Sequence, residues 1–403
     1  MSDFVVQGSR IFFPKITVGG PTGGGAPATG WPSAPLAAAT TYTQSPAVGT
    51  SRLNGYFDND GVAITQDGTS AYVGWQKGLS GGTNGIGRRF VRSGSIYQES
   101  GPTLTGPGGT DAFADAMSYS ADGSVLAATN AFGGTGGAII RIYEDSGSGP
   151  SLEATFSEAS GQINAGWTSP DGSTVFAGST TGGGGGFPQP GTINIYRKSG
   201  TWGNVELVTG PLGARIGDIV RSNADGSIFA FVDRNTNDVL VYQETGVGTN
   251  NWTGIQTITG VNTATGVSMA MTPDNTRLAL SWRNGDVNIY LWNGSTFGFE
   301  QTITTTGATA TFGEAIDITD DGTFLVVGDG GANSGDGQIT MFERAGTTWS
   351  ENWTLDGTSG QGGEFGAGAT FAGDGSLLIV TEPRITVGGQ PEAGNVYFYN
   401  PTG

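Results

Sequence analysis

Short apolar runs, interrupted by tight polar turns, recur along the whole chain. In seven places an apolar run ends at an Asp-Gly or Asp-Asn pair, and a second apolar run follows. The steps between successive pairs are 55, 49, 54, 49, 47 and 53 residues. Asp-Gly between apolar runs favours a β-hairpin, because its residues tolerate the positive φ of a tight turn. A hairpin at a nearly fixed period indicates a repeat architecture. The pairs begin at Asp67, Asp122, Asp171, Asp225, Asp274, Asp321 and Asp374.

The sixth repeat shows the strands of one unit most completely. Residues 315–319 form a predicted first strand, and residues 324–327 form a second strand that is apolar on both faces. An all-apolar strand suits a position between two neighbouring sheets. Predicted third and fourth strands follow at 339–342 and 352–355. Seven such units predict an all-β, seven-bladed β-propeller of four-stranded blades.

An apolar-aromatic pair recurs in every unit and is predicted to lie on the third strand. The distance from the turn aspartate to this pair varies, whereas the Asp-Gly turns are uniform. One rim of the propeller is therefore regular and the other is variable. Length variation on one face often marks a binding face, although such loops also tolerate drift in length without any function. The pairs are Ile96-Tyr97, Ile142-Tyr143, Ile195-Tyr196, Val241-Tyr242, Ile289-Tyr290, Met341-Phe342 and Phe398-Tyr399.

The seventh unit ends after its third strand. The segment Ala39–Gln44 lies before the first strand of unit one, at the place where every other blade has the preceding outer strand. We therefore expect an N-terminal strand to pair beside Phe398-Tyr399, complete the last blade and close the ring. This division gives an N-terminal arm at residues 1–38 and a propeller at residues 39–403.

The arm does not fit the repeat. It is rich in glycine and proline and contains isolated apolar residues, which are suited to docking against another protein. We expect the arm to be an anchor or docking segment that binds a partner. The alternative is that the same side chains pack on the seventh blade. The candidate partner-binding residues are Phe4, Ile11, Phe12, Phe13 and Trp31.

Composition and charge narrow the class of protein. Glycine accounts for 74 of 403 residues but follows no triplet, so a collagen-like structure is excluded. The 17 basic and 35 acidic residues give a net charge of −18. Such a surface disfavours nucleic acids, because their phosphates are negative as well. No apolar stretch is long enough to suggest membrane insertion.

The chain has no histidine and no cysteine. The commonest general base, the commonest metal ligand and any disulfide framework are therefore missing. We expect a protein that is not an enzyme, with no catalytic residues and no cofactor. The 35 acidic residues leave one alternative, a pair of carboxylates of the kind that hydrolyses glycosides.

The C-terminal units resemble FG-GAP repeats, the propeller units of integrin α-chains and of many bacterial surface and marine proteins. The resemblance rests on Phe312-Gly313 and Phe365-Gly366, each nine residues before its turn aspartate, and on Gly346–Trp349. It covers residues 40–403, but the Gly-Ala-Pro element of the family is absent.

The FG-GAP family often binds calcium through an Asp-x-Asp-x-Asp loop between the first two strands. Here only Asp317, Asp320 and Asp321 approach that pattern, and Phe324-Leu325 stands where a late carboxylate is needed. Calcium requires six to eight oxygen ligands. We therefore expect no metal site, and we expect each turn aspartate to bond its own backbone.

The resemblance implies an extracellular role, whereas the N-terminus does not look like a signal peptide. A virion protein reconciles the two, and the lack of cysteine fits assembly in a reducing cytoplasm. We expect a virion structural or adhesion protein, attached to a capsid or tail through the arm, with rim loops that contact a host glycan or protein. The alternatives are a secreted or cell-surface bacterial adhesin and a carbohydrate-binding or glycan-active propeller.

Overall fold

Seven antiparallel sheets succeed one another around the ring in the computed structural model of the chain, which confirms the predicted seven-bladed propeller of four-stranded blades. The only helix among the described residues is the four-residue turn Ala332–Gly335 (α1). In that part of the chain, no helix has the length and apolar character needed to cross a membrane. The structure describes residues 5–7, 10–12, 31, 38, 40–43, 52–53, 61–76, 85–106, 113–130, 138–146, 149–158, 163–179, 191–210, 216–246, 248–260, 268–282, 284–358, 360–386 and 394–401.

Blade one follows three strands of the N-terminal segment. Its sheet holds β5, β6, β7 and β8, with β4 and β9 as short additions. The strands that precede blade two are β1 (Val5–Gln7), β2 (Arg10–Phe12), β3 (Thr40–Thr43), β4 (Arg52–Leu53), β5 (Val62–Ile64), β6 (Ser70–Gln76), β7 (Ile86–Ser93), β8 (Ile96–Glu99) and β9 (Leu104–Thr105).

Blades two to six each contain four consecutive strands paired in chain order. The strands of blades two and three are β10 (Phe113–Tyr119), β11 (Val125–Asn130), β12 (Ala138–Asp145), β13 (Pro150–Glu158), β14 (Ile163–Thr168), β15 (Thr174–Ser179), β16 (Thr192–Ser199) and β17 (Thr201–Thr209). Those of blades four to six are β18 (Ile216–Ser222), β19 (Ile228–Asp233), β20 (Asp238–Glu244), β21 (Trp252–Ile258), β22 (Ser268–Met271), β23 (Arg277–Ser281), β24 (Val287–Trp292), β25 (Phe297–Ile303), β26 (Ile316–Ile318), β27 (Phe324–Asp329), β28 (Gln338–Ala345) and β29 (Thr348–Asp356).

The N-terminal segment closes the ring, as the sequence predicts. Blade seven supplies β30 (Gly368–Phe371), β31 (Leu378–Glu382) and β32 (Asn395–Tyr399), and β3 is its fourth strand. Thr40 pairs with Phe398 and Thr43 pairs with Asn395. The strands β2 and β1 extend this sheet outward, so the arm begins as an addition to blade seven.

Each turn aspartate stabilises its own hairpin, which confirms the structural interpretation of these residues. In blade two, Oδ1 of Asp122 accepts from the Ser120 hydroxyl at 2.7 Å and from the Ser124 amide at 2.9 Å. In blade six, Asp321 accepts from the Thr319 hydroxyl at 2.7 Å and from the Thr323 amide at 2.9 Å. We call the edge of the propeller that carries these turns the turn rim. We call the seven aspartates the turn crown: Asp67, Asp122, Asp171, Asp225, Asp274, Asp321 and Asp374.

Backbone hydrogen bonds join neighbouring blades along the turn rim. The amide of Gln66 donates to the Ala121 carbonyl at 2.8 Å, and the Ala121 amide donates to Pro170 at 2.7 Å. The ring closes where the Asp374 amide donates to the Gln66 carbonyl at 3.0 Å, which joins blade seven to blade one. Because these bonds use the residue at or just before each turn aspartate, the turn crown encircles the propeller axis.

The apolar-aromatic pairs coincide with β-bulges in blades two to six. In each of these blades the register between the third and fourth strands shifts within the pair, as between Ile142 and Tyr143. In blade one the sequence prediction of the third strand is wrong. Its third strand is Ile86–Ser93, and Ile96-Tyr97 begins the fourth strand. The arginines Arg88 and Arg89 interrupt the apolar pattern of the true third strand and hide it.

Candidate functional site

The first strands of the seven blades surround a cavity of about 120 Å³ at the turn rim. We call it the channel cavity. Its wall includes the residue that lies four positions before the turn aspartate in every blade. In blade order these residues are Ala63, Ser118, Trp167, Arg221, Ala270, Asp317 and Thr370. Equivalent positions of a repeat thus bring an aromatic ring, a cation and a carboxylate together on one axis.

Arg221 is held in place by an aromatic ring and a carbonyl. Its guanidinium carbon lies 4.6 Å from the centroid of the Trp167 ring, a distance at which cation–π attraction operates. One of its nitrogens donates to the Val220 carbonyl at 2.9 Å, and the side chain is almost fully buried. The Trp167 indole donates in turn to the Ser222 hydroxyl at 3.0 Å. The wall formed by blades three and four is therefore rigid.

Asp317 opposes Arg221 from blade six. Its carboxylate accepts from the Thr370 hydroxyl and the Phe371 amide, both at 2.7 Å, and from the Ile318 amide at 2.9 Å. Burial raises the pKa of Asp317, while these hydrogen bonds and the charge of Arg221 act in the opposite direction. The residue joins blade six to blade seven and lines the same described cavity as Arg221, the only arginine of that lining.

Asp320 lies closer to the mouth of the channel cavity. Burial, together with the nearby carboxylates of Asp317 and Asp374, raises its pKa to about 6, against one hydrogen bond from Gln66 that lowers it. That bond joins the Gln66 amide nitrogen to Oδ2 of Asp320 at 2.6 Å. A carboxyl group with this pKa changes its protonation state near neutral pH.

Gly373 makes room for the Asp320 carboxylate. A Cβ atom built on Gly373 would lie 2.4 Å from Oδ2 of Asp320, inside the contact distance of real atoms. The same repeat position holds Ala121 in blade two and Pro170 in blade three, so the missing side chain is specific to blade seven. Glycine at this position leaves space for the carboxylate through close approach, not through an unusual backbone angle.

This arrangement can support proton transfer and charge stabilisation. Asp320 is a candidate general base, because catalytic acids and bases work best with a pKa near the operating pH. Arg221 is a candidate electrophile that stabilises a developing oxyanion. A cavity with convergent polar groups and a shifted pKa is the usual form of a functional site.

The three carboxylates compared with a calcium loop serve different contacts. Asp317 accepts a hydrogen bond from blade seven, Asp320 accepts one from Gln66, and Asp321 accepts one from its own turn. No cluster of three or more acidic side chains suited to a metal ion occurs within the described ranges. The expectation of no tightly bound calcium stays a prediction.

The five candidate partner-binding residues of the arm are only partly described. Trp31 is 4% exposed and packs within its own chain, with ring centroids 6.5 Å from Trp353 and 5.9 Å from Phe371. The backbones of Ile11 and Phe12 belong to β2. Phe4 and Phe13 lie outside the described residues, as do the side chains of Ile11 and Phe12 and the variable loops at 131–137 and 180–190. The assignment of the five arm residues to a partner interface stays a prediction.

The sequence reasoning missed Arg221, Trp167, Gln66 and Gly373. A usable signal was present, because aligning the repeats on the turn aspartates places Arg221 and Asp317 where two other blades carry alanine. A charged residue at an inward-facing position that is uncharged in the other five blades breaks the structural pattern. Comparison between repeats would therefore have indicated this site.

Solved structures with the same fold include enzymes. The chain has a TM-score of 0.55 and 14% identity to the periplasmic gluconolactonase of Pseudomonas aeruginosa, with 85% of this chain and 96% of that chain covered. A candidate 6-phosphogluconolactonase from Bacteroides fragilis has a TM-score of 0.54 and 14% identity, over 75% and 85% of the two chains. A chain of a mitotic checkpoint complex has a TM-score of 0.61 and 10% identity, over 91% and 96%. At this identity the likeness shows the fold alone.

No protein-family model matches the chain, so the FG-GAP resemblance is not confirmed beyond the propeller fold. No curated protein matches it either.

The prediction of a protein without enzymatic activity is wrong, because the propellers that share this fold include ones described as lactonases. Because the chain has no histidine and no cysteine, mechanisms that need an imidazole base or a thiol nucleophile are excluded. Carboxylates and an arginine line the channel cavity, and they are candidates for acid–base chemistry.

Proposed function

We propose that the protein hydrolyses a small sugar-derived lactone in the channel cavity. The observation that carries this proposal is the convergence of Arg221, Asp317 and Asp320 on one axis, with charged side chains that the other repeats lack. The names of the gluconolactonase and the candidate phosphogluconolactonase that share this fold support the substrate class. This reading also follows the glycan-active alternative that the sequence left open.

In the proposed reaction, the Asp320 carboxylate takes a proton from a water molecule as the water oxygen attacks the lactone carbonyl carbon. Arg221 stabilises the oxyanion of the tetrahedral intermediate. Collapse of the intermediate breaks the ring carbon–oxygen bond, and the proton on Asp320 passes to the departing ring oxygen. One water is consumed and one hydroxy acid forms, so atoms and charge balance.

The wall of the channel cavity supports a polyhydroxylated ligand. Trp167 offers a fixed aromatic surface, and the hydroxyl groups of Ser118 and Thr370 lie on the same ring of positions. Asp317 orients the site without transferring a proton, since it is already bonded to blade seven. The cavity volume of about 120 Å³ suits one sugar-sized ring that extends toward the mouth.

The direct test is proton release during hydrolysis of D-glucono-δ-lactone, measured above the spontaneous rate in the same buffer. The matched control is the double variant Arg221→Gln/Asp317→Asn. It removes the cation together with the carboxylate that faces it, so no uncompensated buried charge is left. We expect turnover by the natural chain and only the spontaneous rate with the folded double variant. Equal rates for the two proteins would overturn the proposal.

We also propose that the arm attaches the propeller to a larger assembly, on a virion or at a cell surface. The observation that favours this is the extension of blade seven by β2 and β1. The outer edge of β1 pairs with no described strand. An open strand edge can accept a strand from another chain.

The attachment proposal is tested with the double variant Phe12→Ser/Phe13→Ser in the organism that makes the protein. We expect a folded propeller that no longer co-sediments with purified particles or cell envelopes. Trp31→Phe serves as the control, because it preserves an aromatic ring where the arm packs on the propeller. Unchanged co-sedimentation of the double serine variant would contradict the attachment role.

A further inference from the structure

We propose that the channel cavity selects uncharged lactones and rejects phosphorylated ones. This inference rests on the proposed function and names its substrate class. It is carried by the electrostatics of the turn rim, where the turn crown surrounds the entrance to the cavity. Gln66, Asp320 and Gly373 line the cavity, and each directly precedes a crown aspartate.

The turn crown carries negative charge at neutral pH. Burial alone would raise the pKa of these carboxyl groups, but hydrogen bonds from the turn amides and hydroxyls outweigh it. The pKa is lowered for Asp67, Asp122, Asp225, Asp274 and Asp321. A ligand that enters from the turn rim therefore passes a ring of ionised carboxylates, and repulsion of like charge lowers the local concentration of anions.

The arginines near this entrance contact groups of their own chain, and Arg344 donates to the carbonyls of Gly322 and Gly346. Arg221 faces Asp317, stacks on Trp167 and donates to a carbonyl. Two arginines further out on the same rim form ion pairs. Arg197 contacts Glu244 at 2.7 Å, and Arg277 contacts Glu300 at 3.4 Å. Phosphate recognition usually relies on arginine or lysine donors or on the N-terminus of a helix. These engaged arginines offer no such donor set.

The position of Asp320 adds to this discrimination. Its carboxylate lies nearer the mouth, and burial together with neighbouring carboxylates already raises its pKa. A phosphate group close to the reacting ring would stabilise the protonated form of Asp320 further. Because the proposed mechanism needs the ionised form, a phosphorylated lactone binds more weakly and leaves a smaller fraction of Asp320 able to accept the proton.

The test compares D-glucono-δ-lactone with its 6-phosphate at about 20 mM and about 500 mM salt, since screening by salt shortens the range of these repulsions. We expect kcat/KM for the phosphorylated lactone to be at least about tenfold lower at low salt, with the gap narrowing at high salt. The neutral lactone should change little. Equal values at low salt, or a preference for the phosphorylated lactone, would overturn the inference.

A charge variant separates the turn crown from the overall net charge. In the double variant Asp122→Asn/Asp171→Asn, each amide oxygen can still accept the turn bonds, so the hairpins are retained. We expect several-fold faster hydrolysis of the phosphorylated lactone at low salt and an unchanged rate for the neutral lactone. The control Glu153→Gln/Glu206→Gln removes the same charge from the outer strands β13 and β17, and it should alter neither rate.

Binding of inert analogues distinguishes failure of this inference from failure of the proposed function. Calorimetry with glucono-δ-lactam and its 6-phosphate reports affinity without hydrolysis. If the lactam binds and its phosphate does not, the selectivity stands even when neither lactone is hydrolysed. If the phosphate binds equally well, the selectivity is wrong even when the lactone is hydrolysed. If neither analogue binds and neither lactone is hydrolysed, both proposals fall.

Discussion

The turn crown and the channel cavity are built from neighbouring positions of the same hairpins, yet they use their carboxylates in opposite ways. Asp122 of the crown is surrounded by donors, and its pKa is lowered. Asp320 of the cavity is buried among other carboxylates, and its pKa is raised to about 6. The repeated position stabilises the fold, whereas the position that breaks the repeat carries a carboxyl group with a raised pKa.

The two groups also respond oppositely to pH. A lowered pKa gives stability that is present above the unfolded value near 4 and is lost as the pH falls through the folded value. A raised pKa favours the folded state at low pH, and this contribution is lost as the pH rises toward about 6 at Asp320. At neutral pH the crown aspartates therefore stabilise the folded state, whereas Asp320 destabilises it. Such a cost is expected at a functional site.

Loss of ring closure should have the largest effect on both regions. Deletion of residues 1–48 removes Trp31 and the strand Thr40–Thr43, which completes blade seven. Blade seven supplies Thr370 and Gly373 to the cavity, so we expect loss of cooperative unfolding together with loss of lactone binding. Circular dichroism melting checks this, with deletion of residues 1–30 as the control that keeps the closing strand. A truncated chain that melts like the full chain would show that the cavity does not need closure.

Removal of one crown carboxylate should cost stability alone. Asp122→Ala deletes the acceptor of two turn hydrogen bonds, and we expect a loss of about 1.5–3 kcal/mol in the free energy of unfolding at pH 7. The loss should shrink as the pH falls below about 4 and through the lowered pKa of Asp122, where the natural carboxyl group takes up a proton. Chemical denaturation at the two pH values measures this. An effect that is independent of pH would mean that the charge of Asp122 contributes nothing.

A single methyl group should disturb the cavity without disturbing the crown. Gly373→Ala places a Cβ against Oδ2 of Asp320 and should displace the carboxylate. We expect about a tenfold loss of kcat/KM, in line with the sensitivity of catalysis to small misplacements. The matched control is Gly203→Ala, a glycine of β17 with open space around its Cβ position. Equal activity of the two variants would contradict the assignment of Asp320.

The smallest expected effect is a shift in pH dependence. In the natural chain, kcat/KM should rise with pH and reach half its maximum near pH 6, as Asp320 becomes ionised. Gln66 donates to the ionised form, so Gln66→Leu should move this midpoint upward by less than one unit, about the effect of a single hydrogen bond. A midpoint that moves downward would show that Gln66 does not stabilise the carboxylate.

The sequence predicted the fold well because the determinants are local and repeated. Asp-Gly turns and apolar second strands specify structure within a few residues, and the closing strand followed from the missing fourth strand of the last repeat. The third strand of blade one was misplaced because Arg88 is buried through an ion pair with Glu99 at 3.1 Å, a contact that no periodic pattern reveals.

The candidate site was harder to predict because its parts come from distant blades. Arg221 and Asp317 lie 96 positions apart in the sequence and meet only after the ring closes. The raised pKa of Asp320 depends on burial and on the empty side-chain position at Gly373. The expectation of no enzymatic activity was wrong because it weighed the missing residue types, whereas the propellers that share this fold include ones described as lactonases.

The most direct test of the difference between the turn crown and the channel cavity is a paired measurement on Asp320→Asn and Asp274→Asn, two isosteric changes on the same rim. Lactone hydrolysis and the melting temperature are measured for both at pH 8. We predict that Asp320→Asn loses about 10²-fold or more of kcat with an unchanged or higher melting temperature. Asp274→Asn should keep kcat within about twofold and melt at a lower temperature, since its turn bonds lose their charge. Equal loss of activity in both, or full activity in Asp320→Asn, would contradict this account.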